Sequence, residues 1–239
     1  MEQVTDSMKK NLKILAVVAM LLAALLAAGC GSGESALQLS DMETVEYNNP
    51  QSGATITIPA DWQVQSEEGG TTVFTNPEGS ISFVLKWELG GMSYFSKEEL
   101  AGLAADVCSS TLENPQAYAS LELNQFDVAV KTVFSGTVKN GEADVNAVCD
   151  TAIIQYFNDV RYYLVAVTDA GAYAEYENVF TQIANSFSCS LTEDEVYEKL
   201  NAYNESLKEQ QKAAESDENE QATDNKQENQ QENQQDSEQ

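Results

Sequence analysis

Three consecutive segments in the middle of the chain constrain the fold more than any other feature of the sequence. Asn140-Gly141 is a strong two-residue signal for a β-hairpin, and Asn158-Asp159 marks a second reversal of the chain. The flanking residues have the composition of strands. Together these signals predict a three-stranded antiparallel meander over residues 127–139, 142–157 and 160–169.

The last strand of this meander is apolar on both faces. Tyr162 and Leu164 share one face, and Tyr163, Val165 and Val167 share the other. A strand with one face in water would alternate between apolar and polar residues, so both faces of this sheet have to be covered. The pattern therefore predicts helices on both sides of a single sheet.

The flanking sequence supplies these helices and further strands. Ser96 and Glu99 form a capping box that begins a helix, and Asn114-Pro115 ends it. A closing helix over about 172–187 brings its apolar side chains to one side, namely Tyr176, Phe180, Ile183 and Phe187. Additional strands are predicted over residues 54–59, 71–76, 80–89 and 118–125.

Two motifs resemble the PsbP/Mog1/DcrB-like superfamily. In EYNNPQSGATITIPADW, an aromatic residue, a glycine turn, an alternating strand, a proline and a tryptophan follow one another, as Tyr47, Gly53, Ile56, Ile58, Pro59 and Trp62. In YENVFTQIANSFSC, the last helix finishes in Ser186-Phe187. The likeness covers most of residues 45–189, and it implies an antiparallel sheet between helices. Members of this group are mostly non-enzymatic binding or accessory proteins. The resemblance assigns no binding residue, and we interpret Pro59 and Trp62 as packing elements.

The predicted fold class is therefore α+β. It consists of a single antiparallel sheet covered by helices on both faces, an α/β/α sandwich of the PsbP-like type, over residues 44–190. The sequence of residues 191–215 predicts a helical extension. Three alternatives stay open for this helix: packing on the domain, packing on a copy of itself, or exposure to solvent. Its narrow apolar stripe consists of Val196, Leu200, Tyr203 and Leu207. Residues 216–239 are acidic, rich in Gln and Asn, and without large apolar side chains, which predicts a disordered tail.

The chain opens with the pattern of a bacterial lipoprotein signal. Residues 8–13 are basic, residues 14–28 form an apolar run with the length of a signal-peptide core, and Gly29-Cys30 follows. The segment resembles a lipobox, although Ala27 stands where Leu is more usual. The resemblance implies removal of residues 1–29 by cleavage between Gly29 and Cys30, and a diacylglycerol on the Cys30 thiol.

In this interpretation residues 30–43 form a flexible leash between the membrane and the domain. A plain secretory signal and a buried core helix are the alternatives for the apolar run. The start of translation is either Met1 or Met8. Met8 is the alternative because residues 1–7 contain acidic side chains, whereas a signal peptide normally opens with basic ones.

The charge and the residue types exclude several classes of protein. The sequence has 39 acidic and 12 basic residues, a formal net charge of −27. Binding to phosphates requires Lys and Arg, so we expect no nucleic-acid partner. The sequence contains no His, which excludes Ser-His-Asp and Cys-His catalysis and most zinc sites. We therefore predict that the protein is not an enzyme and has no cofactor.

The remaining reactive side chains have structural interpretations. Cys108 and Cys149 lie on apolar faces of predicted elements, which is typical of small core residues. Cys189 is the third cysteine besides Cys30. The sequence does not decide whether two of these three cysteines form a disulfide.

No loop with the spacing of an EF-hand occurs, and no metal site is predicted. Two pairs of tyrosines either line a pocket or pack in the core, and packing is the favoured interpretation. The pairs are Tyr162 with Tyr163 and Tyr173 with Tyr176.

The sequence thus predicts a lipoprotein on the extracytoplasmic face of the cell membrane. The lipid on Cys30 would be its contact with the bilayer, and the domain would bind an unidentified protein or small ligand without catalysing a reaction. Two alternatives stay open: an extracellular enzyme that uses carboxylate or thiol chemistry, and a divalent-cation-binding protein.

Overall fold

A computed structural model of the chain describes residues 36–68, 70–89, 95–123, 126, 128–140, 143–157, 160–206 and 208. The predicted signal with Gly29 and Cys30, and the predicted tail over 216–239, lie outside these residues. The chain divides into two compact units, the first ending at Thr192 and the second beginning at Glu193.

The first unit is built on an antiparallel sheet of seven strands. The order across the sheet is β3 (Gln63–Glu68), β4 (Thr71–Thr75), β5 (Ile81–Leu89), β9 (Val160–Asp169), β8 (Ala143–Tyr156), β7 (Ala129–Asn140) and β6 (Glu113–Glu122). The predicted meander is β7, β8 and β9, and its first hairpin closes with Asn140 paired to Ala143.

Two helices cover the two faces of this sheet. Helix α1 (Lys97–Thr111) begins at the capping box of Ser96 and Glu99 and buries Leu100, Ala104 and Cys108. These side chains share one core cluster with Tyr163, Val165 and Val167 of β9.

Helix α2 (Ala170–Ser186) follows β9 directly and covers the opposite face. The Phe180 ring stacks on Phe83 of β5 with centroids 6.4 Å apart, and Phe187, just after the helix, meets Tyr162 at 4.8 Å. Because Tyr162 and Tyr163 point to opposite sides of β9, the structure confirms an α+β fold with an antiparallel sheet between helices.

A second sheet joins the face that α2 covers. It has three strands, β1 (Thr44–Asn49), β2 (Ala54–Pro59) and β10 (Ser188–Cys189), with β2 in the middle. The sequence predicted one sheet and gave no separate signal for β1, β10 or β3. All six residues of β3 are exposed, so no apolar alternation marks this strand.

Strand β6 begins five residues earlier than predicted, at Glu113 instead of 118. Asn114 adopts a φ of +51°, which turns the chain from the end of α1 straight into the sheet. The pairing with β7 shifts register between Glu113 and Gln116, so that Pro115 sits in an irregular part of an edge strand, where its missing N–H is tolerated.

The second unit contains helix α3 over residues 193–206. Val196 and Leu200 of the predicted stripe are buried, whereas Tyr203 is exposed. Within the described part of the chain, no helix is both long and apolar enough to cross a bilayer.

We predict that Gly53→Ala destabilises the protein and that Gly102→Ala does not. Gly53 has a φ of +67°, and an added Cβ would lie 2.7 Å from Leu191 Cγ. The strain and the overpacking should lower the free energy of unfolding by about 1–3 kcal/mol. Gly102 lies in α1 with nothing within 4 Å of an added Cβ, and alanine should stabilise the helix by about 0.4–1 kcal/mol. Urea unfolding of the two variants measures both effects, and equal stabilities would contradict the prediction.

Candidate functional site

A lysine and an aspartate lie inside the face of the sheet that α2 covers. The side chains of Lys131 on β7 and Asp150 on β8 are only 1% and 3% exposed, and Nζ lies 2.6 Å from Oδ2. The strand register pairs Lys131 with Ala152 and Val133 with Asp150. The two charged residues are therefore diagonal neighbours on one face of adjacent strands.

Tyr173 completes this group, which we call the buried triad. Its hydroxyl donates a hydrogen bond of 3.0 Å to Asp150 Oδ2. The local sequence fixes its position, because Asp169 caps α2 by accepting hydrogen bonds from the N–H groups of Gly171 and Ala172. The first turn of the helix then places Tyr173 over β8.

Burial controls the electrostatics of the triad. Loss of solvation raises the pKa of Asp150, while the Lys131 ammonium and the Tyr173 hydroxyl act to lower it. The pKa stays above its usual value because desolvation outweighs the two favourable contacts. The three side chains are closed off from solvent, so a dissolved substrate has no access to them.

A shallow depression of about 370 Å³ opens at the β6 edge of the sheet. We call it the polar depression. Its described lining comes from β6, β7, β8 and the first residue of α2: Glu113, Asn114, Gln116, Ser135, Gly136, Thr137, Asn146, Ala147 and Ala170. The amides and hydroxyls in this set both donate and accept hydrogen bonds, which suits a polar partner.

The polar depression adjoins the buried triad. Along β7, Val133 lies between Lys131 and Ser135, and along β8, Val148 lies between Asn146 and Asp150 on the same face. Both valines are buried. One buried valine on each strand therefore separates an open, hydrogen-bonding surface from the closed ionic group.

Charged groups at the rim of the polar depression are solvated. Lys139 Nζ lies 2.5 Å from Asp144 Oδ1 and 4.0 Å from Glu113 Oε2, and all three side chains are more than half exposed. The hydrogen bond to Asp144 is the main reason why the pKa of Lys139 is raised. Among the described residues that line the depression, Glu113 is the single carboxylate, so a two-carboxylate acid–base pair is not assembled there.

The cysteines occupy core positions. Cys108 and Cys149 are fully buried, and their sulfurs lie 3.3 Å and 3.5 Å from Thr151 Oγ1. Contact with the Cys108 thiol and burial raise the pKa of Cys149. Cys189 Sγ lies 3.2 Å from the Tyr162 hydroxyl. No disulfide joins any two of these three cysteines, and the described residues contain no cluster of metal-ligating side chains.

The residues that the sequence singled out for packing lie in the core. Trp62 has its ring 5.8 Å from Phe83 and 6.5 Å from Phe180, and Pro59 ends β2. Tyr162 and Tyr163 are buried on opposite faces of the sheet. The predicted lipidation and cleavage residues, Cys30 and Gly29, lie outside the described residues.

Sequence reasoning did not identify Lys131, Asp150 or the lining of the polar depression. The available signal was a charged residue in each of two strands, with apolar residues two positions before and after it: Ala129 and Val133 around Lys131, and Val148 and Ala152 around Asp150. Only the register between the strands shows that the two charges meet.

The fold is similar to that of solved proteins with little sequence identity. No known family profile and no curated protein sequence matches the chain. The Ran-binding protein Mog1p of Saccharomyces cerevisiae matches with a TM-score of 0.50 and 12% identity, over 62% of this chain and 96% of that one. A point mutant of Mog1 matches with a TM-score of 0.51 and 12% identity, over 63% and 98%. A cyanobacterial PsbP from Synechocystis matches with a TM-score of 0.43 and 13% identity, over 69% and 98%. At such low sequence identity, the similarity to the Mog1 structures shows a shared fold and nothing further.

We predict that removal of the buried lysine is far more costly than removal of the exposed one. Lys131→Ala leaves Asp150 buried without its cation and should lower the free energy of unfolding by about 3–5 kcal/mol. Lys139→Ala on the same strand should change stability little, because its partners are solvated. Denaturant unfolding compares the two variants, and a similar small loss for both would show that the triad does not support the fold.

Proposed function

We propose that this chain is a lipoprotein of the extracytoplasmic membrane surface, and that its domain is a non-catalytic binding module that engages its partner through the polar depression. The observation that carries the proposal is the contrast between the two polar groups of the domain. The buried triad is closed to solvent, whereas the polar depression is open and lined by amides and hydroxyls.

The chemistry of the polar depression favours binding over turnover. Its lining offers hydrogen-bond donors and acceptors from Asn114, Gln116 and Asn146, and hydroxyls from Ser135 and Thr137. These groups are neutral at every physiological pH, and they orient a ligand without exchanging protons with it. The Mog1 protein with a similar fold is a Ran-binding protein, which supports protein recognition as a use of this scaffold.

The path of the leash supports a position close to the membrane. Leu37 donates its backbone N–H to the Glu175 carbonyl of α2, and Leu39 donates to Gln182 Oε1 further along the helix. The chain therefore runs beside α2 from its beginning towards its end, and Leu37 lies nearer than Leu39 to the end of the helix at Ala170. Ala170 at that end also lines the polar depression.

The length of the leash limits the distance from the membrane. From Cys30 to Leu37 the chain reaches at most about 25 Å when fully extended. With a lipid on Cys30, the polar depression would face partners at the bilayer surface. Each buried methylene of the lipid contributes about 0.8 kcal/mol, and two or more acyl chains hold a protein stably.

The anchor is tested by Cys30→Ala in a bacterial host that processes lipoproteins. The variant should move from the membrane fraction to the soluble fraction or accumulate as the uncleaved precursor, because it has no thiol to carry the lipid. Cys189→Ala is the matched control and should stay on the membrane. If Cys30→Ala stays on the membrane as fully as the wild type while its acyl label is lost, the anchor is not at this residue.

The binding surface is tested by two arginine substitutions. Ser135→Arg places a long cation in the polar depression, and Gln63→Arg places the same side chain on the exposed strand β3 at the opposite edge of the sheet. Molecules that co-purify with the wild type from native membranes should fall by about tenfold or more with Ser135→Arg. They should be retained with Gln63→Arg. Equal co-purification with both variants would exclude the polar depression as the binding surface.

A further inference from the structure

The contact between Lys131 and Asp150 is short but poorly aligned for a hydrogen bond. Nζ lies 2.6 Å from Oδ2, yet it makes no hydrogen bond of acceptable geometry within the described part of the chain. The carboxyl carbon of Asp150 is one carbon–oxygen bond further, so it lies at most about 4 Å from Nζ. An amine and a carboxyl carbon at this separation are close to the distance at which reacting atoms meet.

The surroundings disfavour a charge on the Asp150 carboxyl group. The two side chains are 1% and 3% exposed, and burial raises the pKa of Asp150. In such a site, transfer of one proton from the ammonium to the carboxylate gives a neutral amine and a neutral acid. These are the forms that condense, and the absence of bulk water opposes the reverse hydrolysis.

We propose that Lys131 and Asp150 condense to an isopeptide bond that joins β7 to β8. The lone pair of Nζ attacks Cγ of the protonated Asp150 carboxyl group and forms a tetrahedral intermediate. A carbon–oxygen bond then breaks, the oxygen leaves as water with a proton from the nitrogen, and the amide remains. The step is a condensation without oxidation or reduction, so it needs no oxidant or external reactant.

Tyr173 is placed to assist this step. Its hydroxyl donates to Asp150 Oδ2 at 3.0 Å, and the same hydrogen bond would stabilise the negative charge on that oxygen in the tetrahedral intermediate. The other carboxyl oxygen is then the one that leaves as water. Since Tyr173 contacts the reacting carboxyl group, it acts as a catalytic residue of this self-modification.

A second Lys–Asp pair on the same strands serves as an internal control. Lys139 and Asp144 lie directly opposite each other, with Nζ 2.5 Å from Oδ1 and side chains 56% and 55% exposed. Both side chains are open to water, so this pair lacks the dry surroundings that the condensation requires. The proposal therefore requires a bond at Lys131–Asp150 and none at Lys139–Asp144.

Tryptic digestion of the purified full-length chain tests the bond. Trypsin does not cleave after an amide-linked lysine, so Lys131 should remain uncut while Lys139 is cut. Mass spectrometry should then find residues 98–139 joined to residues 140–161, lighter than the sum of the two peptides by one water, about 18 Da. Complete cleavage after Lys131 in the folded wild type, with no linked species, would overturn the proposal.

Two variants define the chemistry. Lys131→Arg keeps the positive charge but cannot deprotonate to attack the carboxyl carbon, so the linked species should be absent. Tyr173→Phe keeps the ring and removes the hydroxyl, and pulse–chase labelling should show the bond forming about 100-fold more slowly. Linkage of Tyr173→Phe at the wild-type rate would remove Tyr173 from the reaction. If Lys131→Arg does not fold, the peptide map of the wild type still decides the proposal, which is independent of the lipid anchor.

Discussion

The burial of β9 from both sides is the constraint on which the rest of the structure depends. Five consecutive residues, Tyr162 to Ala166, are all at most 8% exposed, so neither face of the strand can be left to water. Helix α1 covers one face through Leu100, Ala104 and Cys108. Helix α2 covers the other, because β9 leads directly into it at Asp169. Once both faces are covered, a charged side chain beneath a helix needs an opposite charge or a hydrogen-bonding group next to it in the core. The buried triad is the consequence.

The parts of the fold with strong local signals were predictable, and the parts that depend on register were not. The hairpin signal at residues 140 and 141 and the Ser96 capping box are local signals of a few residues. The pairing of Asn140 with Ala143 and the capping box are both present. Strand β3 has six exposed residues and exists because β4 offers it an edge. Strand β10 has only two residues and is defined by its pairing with β2. Lys131 and Asp150 are 19 positions apart in the sequence, and their contact follows only from the pairing of β7 with β8.

The same distinction explains why the chemistry of the domain was difficult to read from the sequence. The absence of His removes the commonest catalytic group, and Lys131, Asp150 and Tyr173 are sealed beneath α2. The open polar surface is instead made of amides and hydroxyls from three strands, none of which forms a motif in the sequence. Binding surfaces of this kind depend on shape and on hydrogen-bonding capacity, and they arise only when the strands are aligned.

A buried ion pair is a weak reason for stability, because desolvation of the two charges offsets most of their attraction. Replacement by apolar residues is often neutral, so stability alone does not account for Lys131 and Asp150 between Ala129 and Val133 on one strand and Val148 and Ala152 on the other. Condensation to an amide changes this balance. It removes both charges from the core, leaves a neutral group that can still accept a hydrogen bond from Tyr173, and ties β7 to β8 beside the polar depression. Strand β6 is the edge strand of the sheet among the described residues, and β7 lies between it and β8. A covalent bond between β7 and β8 beside the polar depression would hold its lining in place, whereas hydrogen bonds alone would allow the edge of the sheet to open.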